Sequence, residues 1–184
     1  LESRDGDTEV VIEGFIEGKE FSCIVIKNEN GTPISLPPTE IRKGKELFDY
    51  RSKYLPGLSR KITPIQIESD LINLIRSECE SLFTSLKFNV YARIDGFISK
   101  EGKVFLNDPN TTSGMMPSSF FFHQAAEIGL NPSQFITYII YSSIRARIND
   151  FKSYIHLPEL LTKLDMALTN SQSGKQGKQR AAVI

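Results

Sequence analysis

Apolar residues at Leu71, Ile72, Ile75, Cys79, Leu82, Phe83 and Leu86 recur every three or four positions. That spacing lines one face of an α-helix and predicts a helix from Glu68 to Leu86. Elsewhere the pattern shortens. Thr8 to Ile16 (TEVVIEGFI) and Glu20 to Lys27 (EFSCIVIK) are β-rich and read as two strands linked through Glu17-Gly18-Lys19. Asn30-Gly31 is a hairpin signal ahead of a third strand around Pro33 to Ile41, whose prolines favour an edge position or irregular pairing. Val90 to Ile98 and Lys103 to Leu106 form a strand pair across Lys100-Glu101-Gly102. Ser118 to Gly129 predicts a helix with a glycine stop, Pro132 to Ile148 a second, and Leu157 to Leu168 a short final one. Lys43 to Arg60 keeps no period and reads either as a long functional lid or as disorder. Antiparallel strands followed by helices define an α+β fold, a mainly antiparallel sheet flanked by helices.

Composition narrows the setting. The 184 residues carry 22 Lys and Arg against 22 Asp and Glu, so neither nucleic acid nor an acidic membrane surface is indicated as a partner. No apolar run approaches the roughly 20 residues of a membrane span, and no secretory signal pattern opens the chain. Cys23 and Cys79 lie far apart within apolar patterns, as free buried thiols of a reducing compartment do. A cytoplasmic protein is expected. Residues 1–150 read as the domain, 151–170 as a C-terminal helix, and 171–184 as a flexible linker leading into the first strand of a possible following module. The chain is therefore expected to be a fragment of a larger protein.

The candidate chemistry is concentrated in VFLNDPNTTSGMMPSS, residues 104–119. A strand there delivers Asp108 and Asn110 at i, i+2, which puts two oxygen ligands on one face, as a hard cation such as Mg²⁺ requires. A turn containing Gly114 and a helix opening at Pro117, Ser118 and Ser119 suit a phosphate or oxyanion. Arg93 and Asp95 share a strand face, and pairing of their strand with 104–106 brings Asp95 toward Asp108 and Asn110. Three such donors can hold one or two Mg²⁺ ions, with Arg93 countering charge on a transferring phosphoryl group. The competing reading is a surface Arg93–Asp95 pair with an Asx turn at Asp108–Asn110. Glu13 and Glu20 flank the first hairpin as ribose-hydroxyl acceptors or solvated charges, and Lys53 is either a phosphate ligand or a solvated loop lysine. His123 and His156 have no partner at ligand or triad spacing, and Arg145, Arg147 and Lys152 make a modest basic patch that reads as a solvated helix end.

Taken in order, EGFIEGKEF, LFDYRSKYL, YARIDGFI and LNDPNTTSGMMPSS resemble the C-terminal half of D-alanine–D-alanine ligases of the ATP-grasp superfamily, from about Val10 to Ile148. The resemblance implies an ATP-grasp C-terminal lobe and Mg-ATP-dependent ligation of a carboxylate to an amine through an acyl phosphate. The implied setting is peptidoglycan precursor synthesis, with D-alanine or a similar small molecule as substrate. It implies that Glu13, Gly14 and Ile16 lie along the adenine, that Glu20 binds ribose and that Lys53 closes over the phosphates. Tyr54 is implied to go with an amine acceptor. Arg93 and the Gly114 N–H would stabilise the acyl phosphate and tetrahedral intermediate, Ser119 would contact a substrate carboxylate, and Asp95, Asp108 and Asn110 would ligate Mg²⁺.

Three positions depart from the family pattern. Asp108 replaces a usual glutamate, Ser113 a frequent proline and Met116 a frequent threonine. These departures keep two other expectations open: an ATP-grasp ligase for a different acid and amine, or a degenerate non-catalytic module in a tandem protein. The resemblance also implies missing partners, namely the N-terminal and central ATP-grasp regions of the same polypeptide, without which the fragment is expected to be inactive.

Overall fold

The computed structural model describes residues 12–43, 59–149 and 158–166. Among them, six strands form one antiparallel sheet: β1 (Gly18–Lys27), β2 (Pro33–Ser35), β3 (Thr39–Lys43), β4 (Ser59–Ile62), β5 (Tyr91–Ser99) and β6 (Val104–Asn110). The order is β4-β3-β1-β5-β6, with β2 pairing β1 on the same side as β3. Helices α1 (Ser69–Ser85), α2 (Phe120–Glu127) and α3 (Pro132–Asn149) flank the sheet, and residues 158–166 form a further helix, α4. None of the described helices is long and apolar enough to cross a membrane.

Strand alternation sends successive side chains to opposite faces. Phe21, Cys23 and Val25 of β1, with Ala92, Ile94 and Ile98 of β5, pack on Ile75, Cys79 and Phe83 of α1. The helical period read from 68–86 is that buried stripe. On the opposite face Ile24 and Ile26 of β1, with Leu36, meet Phe121, Phe122, Ala125, Phe135 and Ile139 of α2 and α3. Tyr91, Phe121 and Phe135 stack there with centroids 5.3 and 4.3 Å apart. These helices pack on the part of that face around Ile24 and Ile26.

Several sequence expectations are corrected. Residues 12–17 are not a strand: Ile12 is 90% and Phe15 78% exposed. They lead straight into β1, whose two edges are already taken by β5 and by β2 with β3, so no unpaired neighbour is available to them among the described residues. Gly18 and Lys19 belong to β1 rather than to a turn, and a Cβ on Gly18 would lie 2.0 Å from the Ile98 carbonyl oxygen. The expected strand over 33–41 is two strands. Pro37 and Pro38 cannot donate to a ladder, and they separate β2 from β3 along the same edge of β1. β4 was not foreseen, and β6 runs four residues beyond the predicted end. The Asn30-Gly31 turn is present, with Gly31 at φ +80° and the Asn28 side chain accepting from the N–H groups of Asn30 and Thr32. Residues 44–58 and most of 150–184, including the linker, lie outside the described residues.

Candidate functional site

The candidate site on the second face is built from β5. Its alternation buries Ala92, Ile94, Gly96 and Ile98 and turns Arg93, Asp95 and Phe97 to the other side. Arg93 grips Asp95 with two bonds, Nε to Oδ1 at 3.1 Å and Nη2 to Oδ2 at 2.9 Å. The Ser22 hydroxyl of β1, opposite Asp95 in the register, donates to the same Oδ1 at 2.7 Å. Both side chains are 22% exposed, so this is a half-buried pair rather than a solvated one. Burial raises the Asp95 pKa, outweighing the Ser22 hydrogen bond and the Arg93 charge, and the nearby Asp108 charge pushes the same way. Three of about four lone-pair positions on the carboxylate are used, which leaves Oδ2 able to accept a cation.

β6 meets β5 with a register shift between Ile94 and Asp95. Asn110 lies opposite Arg93 and Asn107 opposite Asp95, so Asp108 is the extra, bulged residue. Its φ of +47° is a left-handed conformation that aspartate tolerates better than most residues. Regular i, i+2 alternation from Asp108 to Asn110 is therefore replaced by a bulge, which still brings Asn110 onto the Arg93 face. The Asn110 Nδ2 donates to the Asp108 carbonyl at 2.7 Å, so the amide oxygen is the end left for a ligand. The ion pair of the competing reading exists, though part-buried, and the Asn110 side chain bonds back to the Asp108 backbone rather than accepting as in an Asx turn. Among the described residues no group of three His, Cys, Asp or Glu side chains is poised for a metal. The three candidate ligands include only two carboxylates, and all three present the hard oxygen donors that Mg²⁺ prefers.

After β6 the chain turns through Gly114 into α2. Ser119 is the N-cap of α2, extended at φ −75° and ψ 154°, yet its side chain makes no cap bond. A serine there ordinarily accepts from the first turn. Here its hydroxyl is buried with no hydrogen-bond partner, as is the Ser113 hydroxyl. Gly114 is exposed, and a Cβ added to it would meet nothing within 4 Å, so the protein itself gives no steric reason for a glycine.

The turn is tied to the sheet by Gln124, which carries no motif that singles it out in the sequence. Gln124 is fully buried, its Oε1 accepting from the Ile24 N–H at 2.8 Å and its Nε2 donating to the Ser22 carbonyl at 2.8 Å and to Thr39 Oγ1 at 3.0 Å. It supplies the backbone partners that the Pro37-Pro38 break withholds from β1. A lone amide among Phe121, Phe122 and Ala125 was the available signal. Lys61 of β4 also reaches the turn, donating to the Ser118 carbonyl at 2.6 Å.

Glu20 lies on β1 opposite Phe97 and Ile41, one step along the same face from Ser22. Glu13, Gly14 and Ile16 sit in the irregular segment before β1, the first two exposed and Ile16 half-buried. The structure thus gathers Arg93, Asp95, Asp108 and Asn110, sets Ser119 at the start of α2, and does not place Glu13 in a hairpin with Glu20. Lys53 and Tyr54 lie outside the described residues.

Comparison with known proteins identifies the family and the fold. The family model described as D-ala D-ala ligase C-terminus matches residues 2–141. D-alanine–D-alanine ligase B of Clostridium perfringens is 34% identical over 148 residues, covering 80% of this chain and 47% of that protein. The structure resembles the Bacillus anthracis D-alanine–D-alanine ligase solved in complex with ATP (TM-score 0.64, 30% identity, 79% of this chain and 46% of that one). It also resembles the VanG D-Ala:D-Ser ligase from Enterococcus faecalis (TM-score 0.59, 26% identity, 68% of this chain and 36% of that one). The chain spans less than half the length of these relatives. The expected α+β architecture is borne out, as the sheet with its flanking helices matches the C-terminal lobe of those enzymes.

Proposed function

The chain belongs to the D-Ala–D-Ala ligase C-terminal family, and from that premise we propose that it is the ATP- and Mg²⁺-binding lobe of a cytoplasmic ligase making a D-alanyl peptide for peptidoglycan. The observation that carries this reading is the half-buried Arg93–Asp95 pair beside the Asp108 bulge, on one face of the sheet. Asp95, Asp108 and Asn110 would hold Mg²⁺, which would shield the phosphate charge during phosphoryl transfer. Asp108 is one methylene shorter than glutamate and stands at a bulge of β6.

In this reading the terminal phosphoryl group of ATP moves to the carboxylate of one D-alanine, and ADP leaves. The amine of a second D-alanine then attacks the acyl carbon, and inorganic phosphate departs. Arg93 spends Nε and Nη2 on Asp95, which orients the guanidinium and directs Nη1 at the developing oxyanion. The Gly114 N–H assists, and the buried Ser119 hydroxyl binds a substrate carboxylate. Glu20 takes the ribose, residues Glu13 to Ile16 the adenine, Lys53 the phosphates, and Tyr54 goes with an amine acceptor.

The test is D-alanine-dependent ADP release from the complete polypeptide that carries this lobe, with Asp108→Asn and Asn110→Ala each expected to abolish it. Wild-type rates in both variants would remove the metal assignment. Absence of release from a folded wild-type protein that binds ATP would leave a non-catalytic module. A second reading, a different amine acceptor such as D-serine, is favoured by the exposed Met116 and the buried Ser113 beside the turn, together with the likeness to a D-Ala:D-Ser ligase. Profiling acceptors by the same ADP release separates the two.

A further inference from the structure

β4 puts a lysine into the site that the metal and Arg93 assignments do not use. Lys61 pairs with Ile41 in the β3–β4 register and is half-buried. Its Nζ donates to the Ser118 carbonyl at 2.6 Å and lies 4.5 Å from the centroid of the Phe120 ring. The ammonium therefore touches the residues on either side of Ser119, and both contacts are neutral. Burial lowers the Lys61 pKa, and the neighbouring Arg93 guanidinium lowers it further. Among the described residues no carboxylate pairs with Lys61, while Arg93 already shares Asp95 with Ser22. Two cations held near each other in a half-buried place repel unless an anion joins them. The Ser119 hydroxyl, buried and without a hydrogen-bond partner, lies at the same turn.

We propose that Lys61 is a binding residue for a substrate oxyanion, which it shares with Arg93 Nη1 and the Ser119 hydroxyl. The oxyanion is either the carboxylate of an amino-acid substrate or a phosphoryl oxygen, since both offer the same acceptor chemistry to an ammonium. The identity of that oxyanion rests on the ligase reading, whereas the existence of the site rests on the geometry around Ser118 and Phe120.

The test measures affinity for inorganic pyrophosphate by titration calorimetry on the complete polypeptide, for wild type, Lys61→Gln and Lys61→Arg. A charge-assisted hydrogen bond predicts a loss of about ten- to hundredfold in Lys61→Gln and substantial recovery in Lys61→Arg. Equal affinity in wild type and Lys61→Gln overturns the proposal, as does a wild-type protein that binds no pyrophosphate. A lysine serving only to latch β4 to the turn would lower the unfolding midpoint of Lys61→Gln and leave its pyrophosphate affinity unchanged, which also overturns it. Steady-state kinetics then separate the sources. A raised KM for the amino acid alone assigns the carboxylate, and a raised KM for ATP or a lowered kcat assigns the phosphoryl oxygens. Failure of the ligase reading shows instead as wild-type protein without D-alanine-dependent ADP release, and leaves the pyrophosphate comparison intact.

Discussion

The two faces of the sheet treat charge in opposite ways. On the face under α1, the carboxylate of Glu40 is 4% exposed and closed off by the protein itself, with Arg42 Nε at 2.8 Å and Lys19 Nζ at 3.4 Å. On the other face Asp95, whose pKa burial raises, is ion-paired with Arg93, and Lys61 is ion-paired with no carboxylate among the described residues. The first arrangement is complete as it stands and serves the fold. The second leaves the Lys61 ammonium with neutral contacts only among the described residues. Different strands carry the two arrangements: Glu40 and Arg42 lie on β3, Arg93 and Asp95 on β5.

Truncation under α1 offers the hardest test of that contrast. Phe83 is fully buried against β1 and β5, and Phe83→Ala should cost about 3–5 kcal/mol in urea unfolding. Gln124→Leu comes next: it strips partners from Ile24, Ser22 and Thr39 and should cost about 2–4 kcal/mol through buried groups left unsatisfied. A cost near zero would mean that the β1 edge is satisfied in another way.

Acid should produce a smaller loss. Burial alone would raise the Glu40 pKa, but the hydrogen bond from Arg42 and the charge of Lys19 outweigh it and bring the value below the ordinary 4.5. A carboxyl lowered in the folded state stabilises above its unfolded pKa, and that contribution disappears as pH falls through the folded value. Unfolding free energy followed from pH 6 downward should drop below about pH 4.5, and Glu40→Gln should flatten that slope. The smallest change in stability is expected at the open face. Asp108→Asn keeps a residue tolerant of φ +47° and should shift unfolding by no more than about 0.5 kcal/mol, while metal-dependent nucleotide binding is lost. A large destabilisation there would make Asp108 a structural residue and erase the difference between the faces.

Periodicity was informative where burial is one-sided, as in α1, β5 and the two helices after the Gly114 turn. It misled at 12–16, where apolar residues that suit a strand find no free edge of β1 among the described residues. β4 was hidden because SRKI has no alternation of its own and becomes a strand by pairing with the β3 edge. That Asp95, Asp108, Asn110 and Arg93 cluster was legible from spacing and order, but their geometry was not. The bulge depends on the register between β5 and β6, although a proline within NDPN was compatible with one. Lys61 belongs to no motif in the sequence, and its contact with Ser118 arises from the tertiary fold.

Gln124 also gives the molecule a built-in reporter. The amide proton of Ile24 has as its acceptor a side chain one hundred positions away on α2. Its exchange with deuterium therefore records whether α2 is seated on the sheet, separately from the neighbouring amides of β1 that bond to backbone. If ligands draw the Ser119 turn inward or release it, the exchange rate at this single amide would register the movement before any strand opens.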